Sequence, residues 1–448
     1  MREVTIIPKK LSGSLKIPPS KSMAHRAVIC AGLSKGTSII ENIEYSDDII
    51  ATINAMKALG VNIIEEKDKL IISGKNIFNS NKRVIDCNES GSTLRFLMPI
   101  ALIKDGESRF LGKGNLGKRP LKTYYDIFNK QGIDYSYEEG ILNTFVKGEL
   151  KADEFRVEGN ISSQFISGLL FALPLLDGDS KIIITTELES KGYIDLTISM
   201  LDKFGIQVEN LDYKEFRIKG NQSYKAFNYR VEGDYSQGAF FFAAGALGNN
   251  VVCYDLDEES KQGDKEVLDI LKNMGSTLIK EFKVEEKIKD NKDTTDKKEP
   301  MKMALGFASE NLKATIIDAS QCPDIIPVMA VVAALAKGET RVINGERLRI
   351  KECDRLNAIS TELKTLGANI EETEDGLIIN GVESLKGGKV SSHDDHRIAM
   401  SLAIASTVCT EKVVIDNGDC VKKSYPNFWE DFKSLGGEIK WVETLGKR

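Results

Sequence analysis

Leu201 to Glu209 reads LDKFGIQVE: the end of an amphipathic helical stretch, a glycine, and a short strand-like run. The same phrase occurs six times, as MKALGVNII at 56–64, FNKQGIDYSY at 128–137, LDKFGIQVE itself, LKNMGSTLI at 271–279, LKTLGANIEE at 363–372 and FKSLGGEIKW at 432–441. Its glycines are Gly60, Gly132, Gly205, Gly275, Gly367 and Gly436. Each stands where a left-handed residue would close a helix and turn the chain into a strand. Successive glycines are 72, 73, 70, 92 and 69 residues apart. The one long interval holds KEFKVEEKIKDNKDTTDKKEPMKM, a charge-rich stretch of about the surplus length. Such a segment cannot bury enough apolar surface to fold, so it reads as an exposed loop inserted near 283–301. The underlying unit is about 70 residues long.

A second helix is legible in every unit, and it is apolar nearly all round: AHRAVICAGL, TLRFLMPIALI, QFISGLLFALPLL, QGAFFFAAGAL, IIPVMAVVAALA and RIAMSLAIAS. Helices without a polar face are buried. A small turn and a β-branched run such as TSIIENI, SKIIITTEL or EKVVIDNG follow each one. The unit therefore reads strand, helix, strand, helix, strands. The six buried helices begin on polar residues: SKS at Ser20–Ser22, ESGST at Glu89–Thr93, SSQ at Ser162–Gln164, DYSQ at Asp234–Gln237, CPD at Cys322–Asp324 and DDHR at Asp394–Arg397. For any single copy these are ordinary caps. A helix start also offers unpaired N–H groups and the positive end of the dipole, so six gathered starts carrying Lys, Arg and Gln would form an anion site.

The 448 residues suffice for two or three domains. With 41% hydrophobic and 29% charged residues, the composition excludes collagen, coiled-coil and disordered classes. The net charge of -6 gives no general attraction to nucleic acid or anionic lipid, so an anionic ligand needs a local basic site. The apolar stretch Ile325–Ala336 is too short to cross a bilayer and contains Pro327. No export signal is evident at MREVTIIPKK, and a cytoplasmic location is expected. Seven scattered cysteines with no Cys-x-x-Cys pair read as reduced, packed thiols.

The motifs PPSKSMAHRA, NESGSTLRF, GKRPL, NISSQF, ESKGYIDLT, VEGDYSQGAFF, CPDIIPVMA, RIKECDRL, DDHRIAM and KKSYPNF stand in the order, and at about the spacing, of the 5-enolpyruvylshikimate-3-phosphate synthase family. The resemblance covers nearly the whole chain apart from the charged insertion. It implies a two-domain inside-out α/β barrel of six βαβαββ repeats, three per domain, with the active site in the interdomain cleft. One domain would span 20–233 and the other 1–19 plus 234–448. The implied reaction transfers the enolpyruvyl group of phosphoenolpyruvate to the 5-hydroxyl of shikimate 3-phosphate and releases phosphate, through a tetrahedral ketal. The resemblance places the chain in the shikimate pathway to chorismate and the aromatic amino acids, in a family that is the target of glyphosate. No cofactor, metal, nucleic acid or membrane is implied, and a monomer is expected.

By the same resemblance, Lys21, Ser22, Arg26, Ser162, Ser163, Gln164, Ser190, Asp324 and Lys351 should hold shikimate 3-phosphate, with Tyr193 against its ring. Lys21, Gly91, Arg119, Gln164, Arg355, Arg397 and Lys423 should hold phosphoenolpyruvate. Asp324 would accept the hydroxyl proton, Glu352 would protonate the methylene carbon, and Lys21 would share the proton traffic. The residue types suit two multiply anionic ligands, since arginine matches carboxylate and phosphate with a flat fork and lysine acts as a compact charge. A carboxylate at a helix start is a good acceptor but a weak base, and without the resemblance Glu352, between Lys351 and Arg355, reads first as a surface ion-pair residue. One departure stands out: many members carry a polar amide four residues before Lys351, where this chain has Arg347, with Asn344 nearby.

Two decoys are weak. GKGNLGKR at 112–119 matches G-x-G-x-x-G, but Arg119 replaces the Ser or Thr of a phosphate loop and Pro120 marks a helix start. His393 and His396 lack an evident third ligand for zinc, so His396 is read as supporting Arg397 or capping its helix. The related transferase acting on UDP-N-acetylglucosamine typically has a cysteine before its Arg-Pro, absent from 110–119 here. An RNA 3′-phosphate cyclase and a non-catalytic metabolite-binding protein are the readings from other classes. Deleting Glu285–Lys298 is expected to leave turnover and soluble yield largely unchanged, a prediction that expression and a phosphate-release assay check directly.

Overall fold

Among the described residues, the strands form six four-stranded sheets, all with the same order and polarity. The computed structural model describes residues 2–284 and 301–443. In one unit, strand Lys82–Asp86 runs parallel to Glu107–Leu111, with the buried helix Gly91–Ile100 as the crossover that parallel neighbours require. Helix Lys122–Gln131 follows, and the hairpin Asp134–Glu138 and Ile141–Lys147 completes the sheet antiparallel to Glu107–Leu111. This is the βαβαββ unit expected from the repeat. All six repeated glycines have positive φ, from 66° at Gly132 to 100° at Gly60. Side chains are disfavoured there, which is why the helix-to-strand turn keeps glycine in every copy.

The apolar helices are buried as their composition demands. Every residue of Tyr235–Ala246, Ile326–Ala333 and His396–Ser406 is inaccessible. Together with its sheets this trio forms one hydrophobic core, which gathers residues 4–17 and 235–435. Helices Lys21–Leu33, Gly91–Ile100 and Ser163–Ala172 form a second core from residues 23–231. The last two of these approach closely, because a Cβ on Gly168 would lie 2.3 Å from the Arg95 carbonyl oxygen.

The strands do not all stay with their sequence neighbours. Ser12–Lys16, which precedes the first buried helix, pairs parallel with Asn250–Tyr254 in the other core. In exchange, Tyr229–Arg230 pairs with Thr37–Glu41. The two connecting segments run side by side, with a Pro19–Gly233 bridge, Ser20 N–H donating to Glu232 O at 2.7 Å and Asp234 N–H donating to Pro18 O at 2.9 Å. The sixth sheet likewise lacks a strand of its own, and Arg2–Ile7 fills the place between Val413–Ile415 and Glu438–Glu443.

Hairpin strands Thr277–Val284 and Met301–Ala308 flank the charged insertion, whose residues 285–300 lie outside the described residues. Among the described residues no helix is long and apolar enough to cross a membrane. None of the seven cysteines forms a disulfide; five are buried, and Cys353 and Cys420 are partly exposed. Because Ile6 of the N-terminal strand is 1% exposed, Ile6→Ala should cost about 3 kcal/mol, measurable as a lower urea midpoint.

Candidate active site

Five of the six buried helices start with a side-chain cap. Ser20, Ser90, Ser162, Asp234 and Asp395 each accept a hydrogen bond from the backbone of their own first turn. The exception is CPD. Pro323–Ile325 forms a 3₁₀ turn before helix Ile326–Ala333, and Asp324 caps nothing. Its carboxylate faces the space between the two cores instead.

That space is one cavity lined by Lys21, Ser22, Arg26, Gly91, Arg119, Ser162, Ser163, Gln164, Ser190, Tyr193, Asp324, Lys351, Glu352 and Arg355. Arg397 stands behind Asp324, with Nη2 3.4 Å from its Oδ2 and 2.9 Å from Ser236 Oγ. Lys423 lies 3.5 Å from both Glu352 and Glu89, on an adjoining cavity that shares Arg119 and Glu352 with the first.

Ion pairing dominates the geometry. Arg355 contacts Asp395 at 2.7 Å, Asp324 at 2.9 Å and Glu352 at 2.8 Å, and is itself 2% exposed. Asp324 also meets Lys351 at 3.4 Å. Burial alone would raise Asp324, but Lys351, Arg397 and Arg355 hold it well below the usual carboxylate range. Three cations keep it ionised. Glu352 is no surface residue: its side chain lines the cavity and is only 13% exposed, with Arg119 at 3.1 Å. Burial would raise it too, yet Arg119, Lys423 and Arg355 bring it well below the normal value. Lys21 pairs with Asp48 at 2.8 Å.

On the other wall, Gln164 is fixed at both ends of its amide. Arg95 Nη1 donates to Oε1 at 2.8 Å, and Nε2 donates to Ser92 Oγ at 2.9 Å. Gly91 faces them, and a Cβ there would lie 2.8 Å from Arg119 Nη1. Arg26 donates to Thr197, the Ser22 carbonyl and the Tyr193 carbonyl, each at 2.8 Å. Its burial lowers it to about 10, so it remains a cation near neutrality.

Several residues at the cavity carry no expectation from the sequence. Arg347 lines it, donating to Ser190 Oγ at 2.6 Å and ion-pairing with Glu189, whereas Asn344 binds Asp318 at 3.0 Å. Asp48 carries no reading in the sequence, and Asp395 stands there only within a polar helix start; their pairing with Lys21 and Arg355 is tertiary. His396 neither caps its helix nor has a hydrogen-bond partner at Nδ1, because Asp395 is the cap. Gly117 of the phosphate-loop decoy packs against strand backbone, where a Cβ would lie 2.4 Å from Leu142 N. Among the described residues no three His, Cys, Asp or Glu side chains converge as metal ligands, and His393 bonds Glu362 at 2.7 Å.

Residues 6–432 match the family model described as EPSP synthase (3-phosphoshikimate 1-carboxyvinyltransferase). The chain belongs to that family. It is 66% identical over 441 residues to the 3-phosphoshikimate 1-carboxyvinyltransferase of Clostridium perfringens, covering 98% of this chain and 100% of the relative. The enzyme of that name from Clostridioides difficile is 58% identical over 459 residues, covering 100% of both. Among solved structures, EPSP synthase from Acinetobacter baumannii superposes with a TM-score of 0.81 at 26% identity, covering 99% of this chain and 100% of that one. Membership of a transferase family accords with the motif resemblance and disfavours the cyclase and binding-protein readings. Removing Asp395 leaves the buried Arg355 charge without its closest partner, so Asp395→Ala should cost about 3–5 kcal/mol in a urea titration.

Proposed function

We propose that this chain transfers the enolpyruvyl group of phosphoenolpyruvate to the 5-hydroxyl of shikimate 3-phosphate in the cleft just described, releasing phosphate. One observation carries the reading: in a chain of net charge -6, Lys21, Arg119, Lys351 and Arg355 converge on a single cavity around two ionised carboxylates. The domains that would close on the ligands are 20–233 and 1–19 with 234–448. Shikimate 3-phosphate is assigned to Lys21, Ser22, Arg26, Ser162, Ser163, Gln164, Ser190, Asp324 and Lys351. Phosphoenolpyruvate is assigned to Lys21, Gly91, Arg119, Gln164, Arg355, Arg397 and Lys423. A monomer in the cytoplasm completes the proposal.

The ion pairs give this assignment a mechanism. Arg119 and Arg355 pair with Glu352, and the phosphate and carboxylate of phosphoenolpyruvate compete for the same guanidinium groups. Each cation drawn toward the substrate stops stabilising the Glu352 carboxylate, and each substrate charge repels it. Both effects raise the Glu352 pKa, so binding itself turns a strongly ionised carboxylate into a group able to carry a proton. Asp324, steadied by Lys351, accepts the hydrogen bond of the 5-hydroxyl and takes its proton as the oxygen attacks C2. Glu352 protonates C3, forming the ketal. The C2–O bond to phosphate then breaks while C3 returns a proton, restoring the double bond. Lys21, on the first buried helix, lies within reach of both ligands.

Phosphate release that requires both phosphoenolpyruvate and shikimate 3-phosphate tests the proposal; binding of both without phosphate release would refute it, as would activity only with UDP-N-acetylglucosamine. Asp324→Ala and Glu352→Gln should each lower kcat at least about 100-fold with unchanged circular dichroism. Undiminished turnover in either would remove that residue from its role. Lys21→Ala should raise KM for both substrates, and a rise confined to one would reassign it.

A further inference from the structure

Tyr193 stands between two carboxylates. Its hydroxyl lies 2.9 Å from Asp264 Oδ2 and 3.2 Å from Asp324 Oδ2. A phenol has one proton and can donate to only one of them. The second hydrogen bond needs a second proton, held by one of the two acids. Asp324 has Lys351, Arg355 and Arg397 within 3.4 Å to stabilise its charge. Asp264 is 5% exposed, no ion pair among the described residues includes it, and its Oδ1 has no hydrogen-bond partner among them. A buried carboxylate with so little support is costly, and taking up a proton removes that cost.

We propose that Asp264 works as a neutral carboxylic acid that donates to the Tyr193 oxygen, so that Tyr193 in turn donates to Asp324. Asp264 is then a positioning residue. It aims the Tyr193 hydroxyl proton at the carboxylate assigned above as the proton acceptor, and the inference rests on that assignment. Tyr193 packs with the core of residues 23–231, whereas Asp264 and Asp324 belong to the other. The relay therefore exists only across the cleft.

The surroundings of Asp264 set its pH dependence. Tyr193 faces it from helix Lys191–Lys203, Asp324 and Cys322 from the turn at Pro323, Asp234 from the start of helix Tyr235–Ala246, and Arg397 from helix His396–Ser406. Glu266 shares its own turn, while helix Val267–Asn273 pairs Asp269 with Lys272 at the surface. Burial, then the Asp324 charge, raises Asp264 to about 7 against the opposing Arg397. Below that pH the acid keeps its proton and the relay is complete. Above it the proton leaves, Tyr193 turns to Asp264, and Asp324 loses its donor.

Infrared spectra and pH profiles of kcat test this. The wild type should show the carbonyl band of a buried carboxylic acid, lost in Asp264→Asn and lost as pH rises through about 7. Asp264→Asn, whose amide N–H₂ can replace the acid proton, should keep kcat within about twofold below that pH and abolish the alkaline fall, whereas Asp264→Ala should lower kcat about tenfold. Tyr193→Phe should abolish the same alkaline fall and serves if Asp264→Asn does not fold. A missing band, an Asn variant as impaired as Ala, or an alkaline fall retained in either variant would overturn the inference. The band reports on Asp264 without turnover, so an absence of phosphate release in the wild type would count against the transferase reading separately.

Discussion

Arg355 can be buried only because three carboxylates surround it. An unpaired guanidinium in the interior would cost several kcal/mol, more than a typical cap or turn can offset. Asp324, Glu352 and Asp395 supply the compensation, and each does so from a different part of the chain. The cavity thus holds Lys21, Arg119, Lys351 and Arg355 in place while remaining stable, because each of these cations already has a carboxylate partner. Under the proposed transfer, the same arrangement would couple binding to chemistry. A ligand that takes an arginine from Glu352 also changes where Glu352 can hold a proton.

The repeat explains how such a cluster is assembled. Each unit buries one apolar helix, and residues at the starts of five of these helices, three from one core and two from the other, line the cavity between the cores. Small departures from the pattern then carry the function. Five starts are capped by their own side chains, and the sixth ends in a 3₁₀ turn whose Asp324 is left to face the cavity. The strand exchange at Ser12–Lys16 and Tyr229–Arg230 joins the two cores through a pair of hydrogen-bonded crossings. Those crossings end at Ser20 and Asp234, the caps of two of the helices whose starts line or adjoin the cavity. Ties between the lobes and the ligand site therefore share the same few residues.

Much of the fold was legible because its signals are local. A glycine at positive φ, an all-apolar helix and a β-branched run each leave a mark within about ten residues. The cations of the site were legible as well, through motifs that stand in one order along the chain. Their partners were not. Nothing in the sequence singles out Asp48, Asp395 stands only within a polar helix start, and Arg347 looks like a departure from a family pattern. Their roles come from contacts with Lys21, Arg355 and Glu189 that cross between helices or between cores. Glu352 shows the limit most plainly, since a surface ion pair and a carboxylate held among Arg119, Arg355 and Lys423 at the cavity have the same local sequence.

The amino-acid sequence by itself determined the six-fold unit, the helices that must be buried, and the set of charged residues from which an anion site could be built, because periodicity and residue chemistry need only near neighbours. Tertiary structure alone decided which strand completes which sheet, which carboxylate neutralises which cation, and whether an acid beside Tyr193 keeps its proton. Sheet pairing joins residues hundreds of positions apart, and the charge state of a buried acid depends on distances and exclusion of water that exist only once the two cores have met.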